Sequence, residues 1–301
     1  MTNEIKIVVL AGATGNLGGM IARALLDVPG VELRALTRDD TSAPARALTA
    51  IGARVVRADP TDRDAVRRAT DGAFAVMSAL QGGPDVIVDT QLALLDAARA
   101  GGARRFLPSD YSVDFFRLRD GENINSDWRR AFALAADAAR GAVQLVHVLN
   151  GCFLDRTVLF GFLGMFDLVA RKVALWGDGA AMMDFTTYAD TARYAAAAAT
   201  TAEVPTRFNV AGDTLDFDGL VSAYSEGSGH ALTVERRGSL ADLDALVEQR
   251  RRAEPNNLRA WLPLMYQRAM LGGRGRLEPL VNDRFPHIRP TRVVEYVRAM
   301  A

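Results

Sequence analysis

The sequence predicts an α/β fold: a doubly wound parallel sheet (Rossmann-like) with a second, smaller, mainly helical substrate domain. Three observations predict it. Short apolar runs rich in β-branched residues alternate with segments of helical periodicity through the first half of the chain. A glycine-rich turn stands between the first such run and the first helix. Beyond Asn150 the alternation loosens and helical patterns dominate.

Residues 5–10 are an apolar run of Ile, Val and Leu, the pattern of a strand buried on both faces. Helical spacing over 17–26 and alternation over 31–37 complete a β-α-β unit. Strands over 53–59, 74–80, 105–108 and 143–149 then alternate with helices over 62–70, 86–99 and 127–140, the last with Ser126 as its expected N-cap. Past Asn150 the pattern predicts an apolar helix over 154–169 and a short strand over 173–176 closed by Gly177-Asp178-Gly179. An alanine-rich helix over 191–201 and a strand over 207–211 returning to the main sheet follow. A strand over 232–235 precedes a helix opened by a capping box of Ser239 and Asp242; that helix ends on Arg250-Arg251-Arg252, where positive charge suits the dipole. The expected organisation is a cofactor-binding domain over 1–152, its sheet completed by 184–212, and a smaller substrate-binding domain from 153–183 and 213–301.

Composition narrows the function. With 301 residues, 49% hydrophobic and 24% charged, the chain has the length and apolar content for a sizeable core. Its 36 basic residues balance 36 acidic ones, so no overall field draws it to nucleic acid or an anionic membrane. Cys152 is the only cysteine and there are three histidines, which excludes an internal disulfide and argues against a zinc site. No apolar run reaches the ~18 residues of a membrane span, and residues 5–10 are too short for a signal-peptide core. The expectation is a cytoplasmic protein. Only Lys6 and Lys172 are lysine and the other 34 basic residues are arginine, which stays protonated and cannot serve as a tunable proton donor.

Gly12-Ala13-Thr14-Gly15-Asn16-Leu17-Gly18 lies directly between the first strand and first helix, where a dinucleotide's pyrophosphate meets helix N–H groups and the positive dipole end. Its G-x-x-G-x-x-G spacing is one residue longer at the first gap than the commonest dinucleotide fingerprint. At the end of the second strand, where NAD-binding folds carry an acid, stand Thr37-Arg38-Asp39-Asp40. Arg38 suits the 2′-phosphate of NADP, or else pairs with Asp39 or Asp40. Asp59-Pro60 ends the third strand, placing a carboxylate beside the adenine or at a helix N-cap. His147, mid-strand, and Cys152, for which nothing in the sequence signals a lowered pKa, read as core residues. Phe153, Met182, Met183, Trp261, Met265 and Tyr266 supply either a pocket lining or core.

These residues together resemble the NmrA-like and isoflavone-reductase-like proteins, an atypical short-chain dehydrogenase/reductase group. The resemblance rests on 12–18, Thr37-Arg38, Asp59, Ser78-Ala79-Leu80, Arg105-Phe106-Leu107-Pro108-Ser109-Asp110 and Asn150-Gly151-Cys152-Phe153. Later landmarks are Trp176-Gly177-Asp178-Gly179, Asp184-Phe185-Thr186-Thr187 and Phe285-Pro286-His287-Ile288. It implies an NADP-binding domain, with Gly12, Thr14, Gly15, Asn16, Leu17, Gly18, Thr37, Arg38, Asp59, Ser78 and Ala79 at the cofactor, a smaller domain over the nicotinamide, and a homodimer. The chain departs from the group's chemistry. The residue four after Tyr111 is Phe115, so the Tyr-x-x-x-Lys pair is absent, and the stretch where isoflavone-type reductases carry a lysine reads Asp127-Trp128-Arg129-Arg130-Ala131-Phe132-Ala133. Tyr111, Ser109 and Asn150 are the remaining catalytic candidates. The expected activity is NADPH-dependent reduction of an apolar aromatic or conjugated carbonyl or quinone-type molecule. The alternative is a non-catalytic NADP-binding redox sensor that binds a protein partner.

Overall fold

The computed structural model describes residues 5–59 and 62–300. In chain order the elements are β1 (Lys6–Ala11), α1 (Asn16–Leu26), β2 (Val31–Thr37), α2 (Ala43–Ala50), β3 (Arg54–Arg57), α3 (Arg63–Thr70), β4 (Ala75–Ser78), α4 (Gln91–Ala100), β5 (Arg105–Leu107) and α5 (Ile124–Ala139). There follow β6 (Gln144–Leu145), β7 (His147–Leu149), β8 (Cys152–Phe153), β9 (Phe166–Asp167), β10 (Lys172–Trp176), β11 (Met183–Thr186), α6 (Tyr188–Thr200), β12 (Arg207–Asn209) and β13 (Asp213–Leu215). The chain ends with α7 (Phe217–Ser228), β14 (Thr233–Gly238), α8 (Leu240–Ala253), α9 (Leu258–Leu271) and α10 (Val293–Met300). It divides into two compact units: 1–111, 128–148 and 191–208 form the first, and 112–127, 149–190 and 209–301 the second.

The first unit holds a six-stranded parallel sheet in the order β3-β2-β1-β4-β5-β6. Val8, Val9, Leu10 and Ala11 of β1 are all fully buried, as a central parallel strand requires. Val9 and Ala11 share one core with Val66 and Ala69 of α3, Leu94 and Ala98 of α4 and Phe132 and Ala136 of α5. Ser42 caps α2 by accepting from the Ala45 N–H, Asp62 caps α3, and Ser239 with Asp242 forms the expected capping box on α8.

Several elements differ from the sequence reading. Ser126 is not a cap but lies inside the first turn of α5, where its N–H donates to the Asn123 side chain at 3.0 Å. The helix over 86–99 opens as a turn of π-helix over Asp85–Thr90. The strand over 143–149 breaks at Val146. Its first part pairs with β5, whereas the His147 N–H donates to the Thr206 carbonyl at 2.7 Å. The strand over 207–211 therefore makes a two-stranded pair with β7 instead of adding to the main sheet. No helix spans 154–169: a short π-helical turn over Val158–Phe162 is followed by a turn at Gly164, where φ is +66°, and then β9. Glycine there takes a left-handed conformation that ends the helix.

The second unit is built on β14-β10-β9 and β13-β11-β8 with α7 to α10. Its core gathers Leu159, Val173, Phe185, Phe217, Leu220, Leu243 and Val293, all fully buried. A smaller cluster of Trp261, Leu262 and Met265 lies on α9, with Tyr266 packed against it.

Candidate functional site

In the order β3-β2-β1-β4-β5-β6 the topology reverses between β1 and β4, and in open sheets of this kind ligands bind at the carboxyl ends of the strands at that point. The glycine turn occupies it. Gly12 has φ +82°, and a Cβ there would lie 2.7 Å from the Ala79 carbonyl carbon and oxygen. A Cβ on Gly18 would lie 2.0 Å from the Gly12 oxygen. The exit of β4, the turn and the first coil of α1 thus meet backbone to backbone, and only glycine fits at these two positions. Gly15 is different: its φ is −80° and a Cβ would meet only the Gly12 oxygen, at 3.3 Å. Thr14, Gly15 and Asn16 are exposed, while Leu17 is half-buried. No side chain caps α1 and no acid stands in its first turn, so its positive end faces outward. Beside it a cavity of about 140 Å³ is lined by Ala13, Thr14, Gly15, Arg23 and the Pro44 to Ile51 side of α2.

At the end of β2 the chain forms a tight polar turn. The Thr37 hydroxyl donates to the Asp39 carbonyl at 3.0 Å, and Asp39 Oδ1 accepts from the Thr41 N–H at 2.9 Å and the Thr41 hydroxyl at 2.6 Å. The Thr41 hydroxyl, foremost, holds the Asp39 carboxyl below its ordinary pKa. Arg38 is exposed and forms no ion pair among the described residues, so neither Asp39 nor Asp40 claims it. Asp59 is exposed two residues after β3; Pro60 lies outside the described residues. Ser78 is buried at the end of β4, and the Ala79 N–H donates to the Ala11 carbonyl at 2.9 Å.

After β5 the polar groups are bound to one another. The Ser109 N–H donates to Gln91 Oε1 and the Ser109 hydroxyl to the Leu80 carbonyl, each at 2.7 Å, which fixes the β5 exit to the β4 exit. Asp110 Oδ2 and His147 Nδ1 are 2.7 Å apart, both side chains buried, and Arg129 Nε donates to the Asp110 carbonyl at 2.9 Å. Tyr111 has φ +24°, a strained conformation for a bulky residue. Its hydroxyl is buried without a hydrogen-bond partner, and burial first, the Asp110 charge second, push its pKa up, so it keeps its proton at neutral pH.

Asn150 belongs to the second unit. Its N–H donates to the Ser112 carbonyl at 3.1 Å, and its carbonyl accepts from the Thr186 hydroxyl at 2.7 Å. Burial pushes the Cys152 thiol up to about 12, which makes it an inert packing residue. Phe153 stacks on Tyr188 at 4.0 Å, whereas Met183, Trp261 and Met265 are buried in core. Sequence reasoning missed Gln91 as the partner of Ser109 and the pairing of Asp110 with His147, because nothing local marks contacts between residues 18 and 37 apart. Among the described residues no group of three or more His, Cys, Asp or Glu could hold a metal, and no helix is long and apolar enough to cross a membrane.

With this geometry in hand, comparison with known proteins is informative. The NmrA-like family model matches residues 4–121. An NmrA-like family domain-containing oxidoreductase of Aspergillus hancockii, hkm9, is 31% identical over 114 residues, 36% of this chain and 34% of that protein. Isoflavone reductase homolog P3 of Arabidopsis thaliana is 27% identical over 203 residues, 64% of each chain. Thus the chain matches about a third of the first relative's length and less than two thirds of the second's. The structure of AtPrR2 with NADP+ and (+)pinoresinol superposes with a TM-score of 0.82 at 21% identity, covering 99% of both chains, so the fold extends over the whole molecule.

Proposed function

We propose that this chain, which belongs to the NmrA-like, isoflavone-reductase-like family, is an NADPH-dependent oxidoreductase that reduces an apolar aromatic or conjugated carbonyl compound, quinones included. The observation that carries the reading is the backbone junction of Gly12, Ala79 and Gly18 at the switch point, which leaves the uncapped start of α1 open to an anion. There Thr14, Gly15, Asn16 and Leu17 would receive the pyrophosphate. Arg38, free of any carboxylate partner, suits the 2′-phosphate; Thr37 shapes its turn, Asp59 would serve the adenine, and Ser78 and Ala79 would close the cradle from β4. AtPrR2, which shares the fold, was solved with NADP+, and the Arabidopsis relative is named as an isoflavone reductase homolog; both support the assignment.

The bound nicotinamide would supply a hydride. The chain's own residues then have to stabilise or protonate the oxygen left on the acceptor. Tyr111 holds its proton at any physiological pH and is the candidate donor. Ser109 is engaged with the Leu80 carbonyl and acts here by fixing the loops. Arg129 and Arg130 occupy the stretch where isoflavone-type reductases carry a lysine, and the Arg129 Nε is bound to the Asp110 carbonyl. An acceptor such as a quinone can take its proton from solvent and needs none of these donors.

The test is a screen of quinones, enones and imines at saturating NADPH, following loss of the reduced nicotinamide. Turnover that falls at least tenfold in Tyr111→Phe assigns the proton to Tyr111. Turnover that survives that change assigns it to solvent. The sensor reading is favoured by the buried, unpartnered Tyr111 hydroxyl and the missing lysine. It takes over if NADPH binds and no acceptor accelerates its oxidation.

A further inference from the structure

We propose that Arg57, the last residue of β3, holds the cofactor's 2′-phosphate together with Arg38, so that two guanidiniums set the preference for the phosphorylated dinucleotide. The inference deepens the cofactor reading above and rests on it. It begins from the register of β2 on β3: Thr37 is paired with Arg57, and the Ala58 N–H donates to the Thr37 carbonyl at 2.9 Å. Adjacent strands run about 5 Å apart, so Arg57 departs from the sheet edge next to the point where Arg38 leaves β2. Both arginines are exposed.

The two strands carry three arginines and Arg38 follows β2 directly, and the partners of these four divide by position. At the far end, Arg34 donates to the Ala69 and Asp71 carbonyls at 3.0 and 2.8 Å, and Arg54 lies 3.9 Å from Glu32. At the carboxyl end, neither Arg38 nor Arg57 has an ion pair or hydrogen bond among the described residues. Asp40 and Asp59 are exposed on the same edge, and the third acid there, Asp39, is committed to its own turn. Asp39 Oδ1 is bound twice by Thr41, and Arg46 Nη1 donates to the Thr41 carbonyl, bracing the same turn from α2. Arg57 stands close enough for its charge to help lower the Asp39 carboxyl, yet forms no ion pair with it. A ligand group carrying between one and two negative charges would give these two guanidiniums the hydrogen-bonded partner they lack. A ribose 2′-phosphate is such a group; a free 2′-hydroxyl is not.

The experiment is titration of the full chain with NADPH and with NADH, for wild type, Arg38→Gln, Arg57→Gln and Arg57→Lys, each checked by circular dichroism melting. Arg57→Gln is expected to weaken NADPH about tenfold, as for loss of one charge-assisted contact, and to change NADH less than twofold. Arg57→Lys keeps the charge and recovers part of the loss. A merely structural role would weaken both nucleotides alike. The inference is overturned if wild type prefers NADPH and Arg38→Gln removes the preference while Arg57→Gln leaves it unchanged. It is also overturned if the effect vanishes in an Asp39→Asn background, since Arg57 would then act only by screening Asp39. A wild type that binds NADH as tightly as NADPH overturns the underlying cofactor reading, and this inference with it.

Discussion

Gly18→Ala adds one methyl group at the most crowded point of the switch-point turn. The new carbon would stand 2.0 Å from the Gly12 oxygen, 2.8 Å from its carbon and 3.0 Å from the Ala13 Cα, all backbone. The oxygen cannot swing aside without breaking the 3.0 Å hydrogen bond it accepts from the Gly15 N–H. Relief therefore needs a shift of about 1 Å in the turn or in α1, and forcing an extra methylene into a packed site costs about 1–3 kcal/mol. Alanine's better helix propensity returns at most about 1 kcal/mol. The net loss of about 1–2 kcal/mol lowers Tm by about 2–3 °C for a chain of this size, and the displaced turn is expected to weaken NADPH by at least tenfold. Gly15→Val is the contrasting change. Its φ of −80° is open to any residue and the nearest atom is 3.3 Å from a Cβ, so the fold should melt within a few degrees of wild type while NADPH binding is lost. Circular dichroism melts and nucleotide fluorescence titrations measure both. A Gly18→Ala protein as stable as wild type would refute the packing argument, and a Gly15→Val protein that binds NADPH normally would remove the turn from the site.

Three further outcomes are expected. Arg105, fully buried, donates to the Ala198, Thr201 and Ala202 carbonyls at 2.7, 2.7 and 3.0 Å at the end of α6, so Arg105→Met should destabilise the protein by about 2–4 kcal/mol, and a melt unchanged from wild type contradicts this. Cys152 should resist thiol reagents in the native protein at pH 8 and react only on unfolding, because its thiol is raised to about 12. The same shift has a stability consequence. The unfolded thiol ionises near pH 9 and the folded one does not, so the stabilisation is intact below pH 9 and is lost at about 1.4 kcal/mol per pH unit from there toward pH 12; Cys152→Ala should flatten that part of the alkaline melt.

What could be read from the sequence was what is decided locally. The apolar run of β1, its glycine turn and the alternation of β2 each lie within a few residues, and so does the Ser239 and Asp242 capping box. The helix α2 escaped notice because it is short and carries only Ala45 and Leu48 to the core. The false helix over 154–169 had the apolar content of one, but Gly164 turns left-handed and the chain leaves as a strand. Within the site, the glycine turn was legible because Gly12, Gly15 and Gly18 lie in one strand-turn-helix segment, whereas the Ala79 backbone that requires glycine at position 12 is brought there by the fold. The commitment of Ser109 to Leu80, the pairing of Asp110 with His147 and the register that sets Arg57 beside Thr37 are tertiary facts. No spacing in the chain announces them.

On the proposed reading the carboxyl edge of the sheet receives a 2′-phosphorylated dinucleotide. Calorimetric titration of the purified full-length chain with NADPH and with NADH, in the same buffer at low and at physiological salt, tests it most directly. One NADPH is expected to bind per chain, at least tenfold tighter than NADH, with a preference that shrinks as salt screens Arg38 and Arg57. Equal affinities for the two nucleotides, or no binding of either, would contradict it.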